Sequence, residues 1–435
     1  MLGWEFPPFI SGGLGTACYG LTRALSQLGT EVIFVLPRPV DSSHASHVKM
    51  ASPSSAGQYI MQEYYKGLEG FDNVVFRAIP AAMKAYQSPQ TYQDILRELR
   101  EKGLSGELLG VEDPEELELG TGGAAHYGQD LFQEVHRYAR LVSVIARNEE
   151  FDVIHAHDWM TYPAGIAAAK LTGKPLVVHI HSTEFDRSGE HVHQHVYDIE
   201  RSGLHQSDRI VAVSYLTRSV LINRYGVYSD KIEVVYNAIE KNGSFLNPPE
   251  NARIEKDETI VLFLGRITMQ KGPEYFLGAA KKVLEHMDDV KFVMAGSGDL
   301  IQQSIEMAAG MGIGHKVLFT GFLRGDDVDR VFRMADLFVM PSVSEPFGLV
   351  PLEALRNDVP VIISKQSGVA EVLHHVLKVD FWDIDEMANK IIAVLRHQPL
   401  QATLREHGNF EVRKLSWTEA ARRCNEVYES MMVPA

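Results

Sequence analysis

Short apolar runs alternate with amphipathic stretches along most of the chain, and this alternation predicts strands interleaved with helices. The runs predicted as strands are residues 31–36, 74–79, 153–156, 176–180, 209–213, 232–236, 259–264, 291–295, 317–320, 336–340 and 359–363. The amphipathic stretches predict helices that include residues 130–148, 163–172, 196–202, 349–357, 400–409 and 417–432. Strands that alternate with helices form parallel sheets with both faces covered. The pattern therefore predicts an α/β fold.

Two alternations of similar length predict two doubly wound, Rossmann-like domains that face a central cleft. The chain has 435 residues, which is more than one hydrophobic core usually supports. A polar stretch with adjacent prolines, residues 242–254, predicts the linker between domains 1–245 and 246–415. Residues 37–128 are predicted to form an irregular insertion in the first domain, and residues 416–435 a terminal helical segment. Open α/β sheets bind ligands beyond the carboxyl ends of their strands, which places the ligand in the cleft.

Charge and cysteine content exclude several classes of protein. The formal net charge is −15, whereas nucleic-acid binding needs a basic surface. The 2 cysteines, Cys18 and Cys424, lie far apart in the sequence, offer no disulfide framework and predict a reducing compartment. The sequence contains no apolar run of about 18 residues, and a basic segment followed by an apolar one is absent at its start. We therefore expect a cytoplasmic protein that does not bind nucleic acid.

The segment from Glu345 to Glu353 carries two carboxylates across a predicted strand-to-helix loop. The preceding buried strand ends at a proline, so Glu345 is placed in the loop and Glu353 about two turns into the helix. The free N–H groups at the start of that helix favour an anion. Carboxylates for sugar hydroxyls beside amides for phosphate suit a nucleotide-sugar. The donor-binding residues predicted here are Phe347, Gly348, Leu349, Val350 and Glu353.

Arg266 and Lys271 lie in one loop between an apolar strand and a predicted helix that has Pro273 in its first turn. The loop is not a Walker A phosphate loop, because the order Gly-Lys-Ser/Thr is absent. At the carboxyl end of a strand, a forked cation and a point charge can bind a diphosphate together. A pair of unrelated surface cations is the alternative, and the strand–loop–helix context disfavours it.

These two loops together resemble the retaining glycosyltransferases of the GT-B fold, family 4 type, which include the bacterial glycogen synthases. The segment from Glu345 to Glu353 matches the E-x7-E signature of that family. The resemblance implies that Arg266 and Lys271 stabilise the leaving nucleoside diphosphate without a metal ion. It further implies that Glu345 holds hydroxyls of the donor sugar, that Glu353 holds the ribose, and that the last helix packs on the first domain.

A glycine-rich turn near the start of the chain resembles the loop with which this family approaches the donor. Its glycines, Gly12, Gly13 and Gly15, permit close backbone approach, and the N-terminus of the following helix points at the cleft. Glycogen and starch synthases carry a lysine just before the paired glycines, where this chain has Ser11. This departure means that their donor and acceptor preferences do not transfer directly.

The sequence His-Ala-His-Asp-Trp at residues 155–159 resembles the element that lines the acceptor side in glycogen synthases. On the next predicted strand, His181 matches the family's histidine near the reacting carbon of the donor sugar, with Arg187 as a further cleft residue. The residues assigned to the acceptor side are His157, Asp158, Trp159 and Asp186.

Several features were considered as metal sites, and we predict none. His155 and His157 share one face of a strand, but zinc would need further ligands, for which the candidates are His191, His193 and His195. We favour ordinary core or surface positions, without a role in the chemistry, for His155 and His179. The Asp-x-Asp sequence at Asp383 and Asp385 is the metal motif of another glycosyltransferase fold, yet Asp383 followed by Glu386 is typical of a helix cap.

Two further turns are assigned to the donor by resemblance. Gly296 lies in a Gly-Ser-Gly turn that lacks the third glycine of a dinucleotide fingerprint, which disfavours a dehydrogenase. The family places this turn beside the nucleobase, and Leu323 lies where the backbone reads the base edge.

The resemblance implies a retaining hexosyltransferase that uses a nucleotide-sugar, with a carbohydrate acceptor and no cofactor. A glucosyl group from a UDP- or ADP-sugar and an α-glucan acceptor are our best expectation. A nucleotide-sugar 2-epimerase of the same fold and a non-catalytic sugar-nucleotide-binding protein are the alternatives.

Overall fold

The computed structural model describes residues 1–7, 12–37, 70–79, 129–239 and 258–432. The first domain contains six parallel strands, which are β1 (Val32–Pro37), β2 (Val74–Ile79), β3 (Ile154–His157), β4 (Leu176–Ile180), β5 (Arg209–Ala212) and β6 (Ile232–Val234). Leu2 forms bridges to both Val35 and Ala156, so it connects β1 to β3. The resulting spatial order is β2-β1-Leu2-β3-β4-β5-β6.

The second domain is a parallel sheet of six strands in the order β12-β11-β10-β7-β8-β9. The strands are β7 (Thr259–Leu264), β8 (Val290–Ala295), β9 (Val317–Gly321), β10 (Leu337–Met340), β11 (Val361–Ser364) and β12 (Leu377–Val379). In each domain the chain first builds strands toward one edge and then returns to build toward the other. This is the strand order of dinucleotide-binding, doubly wound folds.

The helices cover both faces of each sheet. Those of the first domain are α1 (Gly13–Gln27), α2 (Gln129–Asn148), α3 (Tyr162–Thr172), α4 (Glu184–Ser188), α5 (Gln194–Gln206) and α6 (Tyr215–Tyr225). Those that follow are α7 (Pro273–Leu284), α8 (Ile301–Gly310), α9 (Asp326–Met334), α10 (Val350–Arg356), α11 (Ile384–Arg396), α12 (Gln398–Val412) and α13 (Trp417–Met432). Among the described residues, no helix is both long and apolar enough to span a lipid bilayer.

Alternate residues of each strand contribute to hydrophobic clusters on opposite faces of its sheet. In β4, Leu176 and Val178 pack against α2 and α3, whereas Val177 faces α1 and α13. A methyl group added to Gly20 of α1 would lie 2.2 Å from the Trp417 ring of α13. The close packing of these two helices confirms that the last helix returns to the first domain.

All the predicted strands are present, with ends displaced by one or two residues. The hydrophobic pattern did not predict β12, a short edge strand interrupted by Lys378, the short helix α4, or α9, in which only Val331 and Phe332 are buried. The predicted linker 242–254 and most of the predicted insertion lie outside the described residues. The domain boundaries therefore stay predictions.

Candidate active site

Each sheet reverses its direction of growth at one point, and the loops that leave the carboxyl ends there border a crevice. In the second domain this point lies between β7 and β10, and in the first it lies between Leu2 and β3. The predicted site residues follow these strands. Arg266 comes after β7, Glu345 after β10, and Asp158 after β3.

Lys271 and Glu345 form an ion pair in the second domain. Lys271 Nζ donates to Glu345 Oε2, and Ser342 Oγ donates to the same oxygen at 3.3 Å. The two charged side chains are only 19% and 9% exposed. The Glu345 backbone is fixed by Gln366, whose carbonyl accepts its N–H at 3.0 Å, and by Gly368, whose N–H donates to its carbonyl at 2.9 Å. A cation suited to phosphate is therefore held by a carboxylate suited to sugar hydroxyls.

Arg266 lies in the same loop and is exposed at the cleft. The loop is held by close packing against the turn after β8. A methyl group on Gly296 would lie 1.8 Å from the Gly265 carbonyl oxygen, and one on Gly298 would lie 2.2 Å from that of Ile267. Gly296 also has a φ of 147°, which other residues rarely adopt. Glycine at position 296 is therefore required for the packing of the two loops, whatever it contacts in the donor.

Glu353 lies in the first turn of α10, and its predicted position two turns into the helix is wrong. Gly348 has a φ of 106°, so it belongs to the loop, and the helix begins only at Val350. The shift brings Glu353 closer to the N–H groups at the start of the helix. Burial raises the pKa of Glu353, although Arg356 partly opposes that shift.

Phe347 and Leu323, both assigned to the donor, pack against the core of the second domain. Phe347 is 3% exposed, and its ring centroid lies 6.0 Å from that of Tyr236. Leu323 is partly buried against the same hydrophobic cluster. The Phe347 side chain therefore supports the Glu345 loop from the interior.

A carboxylate that the sequence analysis missed lies at the glycine-rich turn. Gly15 N–H donates to Glu5 Oε2 at 3.2 Å, and a methyl group on Gly12 would lie 2.6 Å from that oxygen. Gly13 is the first residue of α1, and Ser11 lies outside the described residues. Burial raises the pKa of Glu5, while amides of the turn and Arg266 oppose the shift. Glu5 of the first domain therefore lies within electrostatic reach of Arg266 in the second.

His181 is positioned by Asp158. The His181 N–H donates to Asp158 Oδ1 at 2.8 Å, and Asp158 has a φ of 59° with a ψ of 167°, a strained backbone conformation for a residue with a side chain. Burial lowers the pKa of His181 to about 3, so its imidazole is neutral at neutral pH.

We expect Asp158→Asn to stabilise the protein at alkaline pH. Burial raises the pKa of Asp158 to about 7, whereas an unfolded aspartate titrates near 3.9. The folded state thus binds the proton more readily, and this carboxyl lowers the free energy of unfolding as pH rises from about 4 to 7. Asparagine keeps the acceptor oxygen without the charge, so the gain at pH 8 is roughly 2–4 kcal/mol. Urea unfolding of the wild type and the variant at pH 5 and pH 8 measures this gain. A variant that is less stable than the wild type at pH 8 contradicts the prediction.

Four histidines form a cluster on one face of β3 and β4. His155 and His157 stack at 4.4 Å between ring centroids, and His179 and His181 stack at 4.2 Å. His155 Nε2 lies 3.2 Å from His179 Nδ1, and His157 Nδ1 lies 3.0 Å from His181 Nε2. Burial and the neighbouring imidazoles lower the pKa of His155, His157 and His179 well below the usual value. His155 and His179 are both buried in the core of the first domain.

The residues assigned to the acceptor side are all buried in the first domain, since His157 is 0%, Asp158 6% and Asp186 5% exposed. Trp159 is 3% exposed, and its ring centroid lies 5.9 Å from that of Phe132 within the hydrophobic cluster. Arg187 forms ion pairs with Glu184 at 3.0 Å and Glu200 at 2.5 Å. The expectation that Arg187 is a cleft residue is therefore wrong, because these carboxylates neutralise its charge in the interior.

Direct contacts join the two domains beside Glu345. Ser344 Oγ donates to Asp186 Oδ1 at 2.5 Å, and Ser214 Oγ donates to the Pro346 carbonyl at 2.6 Å. The Glu371 carboxylate accepts two backbone N–H groups at the start of α6, at 2.9 and 2.8 Å. Glu371 of the second domain therefore caps the N-terminus of α6 in the first domain, where a negative charge is stabilising. These contacts hold the Glu345 loop of the second domain next to Asp186 of the first.

Asp383 is a helix cap, as predicted. Its Oδ1 accepts the Glu386 N–H at 2.9 Å at the start of α11. Asp385 pairs with Lys282 at the surface. Both carboxylates of the Asp-x-Asp sequence therefore have structural partners.

Two family models match the chain. Glycosyltransferase Family 4 matches residues 89–242, and Glycosyl transferases group 1 matches residues 247–409. The two doubly wound domains that face a cleft, together with these matches, define a glycosyltransferase of the GT-B fold. The two matched segments make the chain a glycosyltransferase, similar to the Glycosyltransferase Family 4 model in its first part and to the group 1 model in its second.

Relatives with similar sequences cover most of the chain. An uncharacterized glycosyltransferase of Methanocaldococcus jannaschii is 29% identical over 448 residues, covering 99% of this chain and 98% of that protein. A glycogen synthase of Mycobacterium tuberculosis is 25% identical over 380 residues, covering 86% of this chain and 79% of that protein. These relatives support the assignment to the glycosyltransferases.

Solved structures share the fold over nearly the full length. Sucrose-phosphate synthase from Thermosynechococcus elongatus has a TM-score of 0.69 at 19% identity and covers 97% of this chain and 94% of its own. The Anabaena protein HepE in complex with UDP and glucose has a TM-score of 0.64 at 16% identity and covers 99% and 98%. At these identities the likeness establishes the fold.

Proposed function

We propose that the protein transfers a hexosyl group, in particular a glucosyl group, from a UDP- or ADP-sugar to a carbohydrate acceptor with retention of configuration. The observation that carries this proposal is the Lys271–Glu345 ion pair at the strand-order reversal of the second domain, with exposed Arg266 in the same loop. One carboxylate for sugar hydroxyls and two cations for a diphosphate meet where such folds bind nucleotides.

The proposed reaction separates the anomeric carbon from the diphosphate through an oxocarbenium-like transition state. Negative charge grows on the leaving phosphate, where Arg266, Lys271 and the N–H groups opening α10 stabilise it electrostatically. Glu345 holds the sugar and Glu353 the ribose by charge-assisted hydrogen bonds. The departing phosphate takes the proton of the acceptor hydroxyl, so no carboxylate acts as a covalent nucleophile.

An α-glucan acceptor is the specific form of this proposal. Its support is the glycogen synthase among the relatives and the His-Ala-His-Asp-Trp element at residues 155–159. The HepE complex with UDP and glucose supports a uridine donor. The proposed acceptor side also includes Asp186, whose carboxylate accepts a hydrogen bond from Ser344 beside Glu345.

A panel of nucleotide-sugars, measured by thermal shift and by nucleoside diphosphate release with and without glucan, tests the proposal. A ligand that binds only the folded state raises the melting temperature in proportion to ln(1 + [L]/Kd). We expect one donor to give both a shift and glucan-dependent release. A new sugar nucleotide formed without acceptor would indicate a 2-epimerase, and binding without turnover a non-catalytic protein.

We expect transfer to survive exhaustive treatment with EDTA. Two cations and a helix N-terminus already offset the charge of the diphosphate, so no divalent ion is required there. Diphosphate release before and after chelation measures this. Activity that is lost with EDTA and restored by Mg²⁺ or Mn²⁺ contradicts it.

A further inference from the structure

We propose that the histidine cluster binds one divalent transition-metal ion through the imidazoles of His155, His157 and His179. This site lies within the first domain and is separate from the diphosphate-binding residues of the second. The ion would join β3 to β4 beneath His181. It takes no part in the proposed transfer chemistry, so its presence can be tested without an activity assay.

The geometry of the three rings suits a shared ion. One ring nitrogen of each histidine lies within 4.8 Å of those of the other two. His155 Nε2 and His179 Nδ1 are 3.2 Å apart. Adjacent ligands of a tetrahedral zinc ion, with Zn–N bonds of about 2.0–2.1 Å, are separated by about 3.4 Å. The spacing of His155 Nε2 and His179 Nδ1 therefore suits one edge of a coordination tetrahedron.

The cluster also contains ring nitrogens that lack partners. His157 Nε2, His179 Nε2 and His181 Nδ1 are buried without a hydrogen-bond partner among the described residues. Buried polar atoms in folded proteins nearly always have a partner, and exceptions mark sites of bound ions or water. Three such atoms within one cluster point to a bound species. Of these atoms, His157 Nε2 is the one that the ion would take as a ligand, because His157 Nδ1 already lies 3.0 Å from His181 Nε2.

The donor set selects the kind of ion. Three neutral imidazoles suit zinc, copper, nickel, cobalt or ferrous iron, whereas magnesium and calcium prefer oxygen ligands. His155 has an outer partner of the type that metal-binding histidines use, because its Nδ1 lies 2.5 Å from the Tyr428 hydroxyl. Tyr428 therefore fixes the ring so that Nε2 faces His179. This orienting contact comes from α13, far along the sequence.

Co²⁺ titration of the untagged full chain, after removal of metals by chelation and dialysis, tests the proposal. We expect one Co²⁺ per chain, with the visible absorption of a four-coordinate ion, and displacement by Zn²⁺. Tyr428→Phe keeps the ring and should weaken Co²⁺ binding about 10–100-fold, as outer-shell changes do. His179→Gln removes a ligand and should weaken it at least as much. Circular dichroism establishes that each variant is folded.

A histidine pair elsewhere provides the matched control. His375 and His407 stack at 4.8 Å between ring centroids in the second domain, beside Glu411. His375→Gln should leave the Co²⁺ titration unchanged. The proposal is overturned if the wild-type chain binds no Co²⁺, which would leave water as the partner of the ring nitrogens. Equal binding by wild type, Tyr428→Phe and His179→Gln, or loss of binding in His375→Gln, also overturns it.

Discussion

Replacing Arg266 by alanine is expected to lower turnover about 10²–10³-fold, the usual cost of removing one electrostatic donor from a transition state. The side chain is exposed, so the free energy of unfolding should change by only about 0.5 kcal/mol. Steady-state kinetics at saturating donor, together with urea unfolding, separate the two effects. Wild-type turnover in the variant would remove Arg266 from the proposed mechanism.

Lys271→Ala should reduce turnover to a similar extent but also destabilise the fold. Its removal leaves the Glu345 carboxylate, which is 9% exposed, with Ser342 as the remaining side-chain partner. An unpaired buried charge of this kind costs about 1–3 kcal/mol or more. Lys282→Ala is the matched control, since that lysine pairs with Asp385 at the surface, away from the cleft. Equal kinetic losses in Lys282→Ala would show that the effect is not specific to the site.

Glu345→Gln and Glu353→Gln are expected to separate sugar binding from nucleotide binding. Glu345→Gln removes the negative partner of Lys271, so affinity for the free diphosphate should be kept or increased while transfer slows. Glu353→Gln should weaken the nucleotide by roughly 1.5–3 kcal/mol, or about tenfold to a hundredfold, because a charged acceptor of the ribose is lost. Calorimetry with diphosphate and with intact donor measures both. The opposite result, in which only Glu345→Gln loses the diphosphate, would reverse the assignment.

The same reasoning predicts how nucleotide affinity depends on pH. Burial raises the pKa of Glu353, so this carboxyl takes up a proton at higher pH than an exposed glutamate. The ribose hydroxyls need the ionised form as acceptor. Affinity should therefore fall as pH drops through the raised pKa, and Glu353→Gln should remove that component.

Local sequence predicted the strands and the loops that carry Arg266, Lys271 and Glu345, because a buried apolar run followed by Gly or Pro has few alternatives. Local sequence did not predict the features of the site that depend on contacts between distant segments. The ion pair of Lys271 with Glu345 joins residues 74 positions apart, and the Ser344–Asp186 bond joins residues 158 apart. The burial of the Lys271 side chain, which is 19% exposed, depends on the same contact with Glu345.

The histidines illustrate the same limit on a smaller scale. Alternation along β3 and β4 placed each pair on one face of its strand. The register that sets His157 opposite His179 follows only from strand pairing. The sequence therefore suggested His191, His193 and His195 as further zinc ligands. In the structure, the rings of His193 and His195 pack on Phe132 instead.

The packing of α13 on α1 has a consequence for the order of events during protein synthesis. Cys18 and Leu21 of α1 share one hydrophobic cluster with Cys424 and Val427 of α13. The ribosome makes the whole second domain before it makes α13. The apolar face of α1 therefore stays uncovered by α13 while the second domain is made, and nascent chains with such exposed faces are prone to aggregation. The first domain is therefore the first to be synthesised, and its packing is completed only after the second domain has been made.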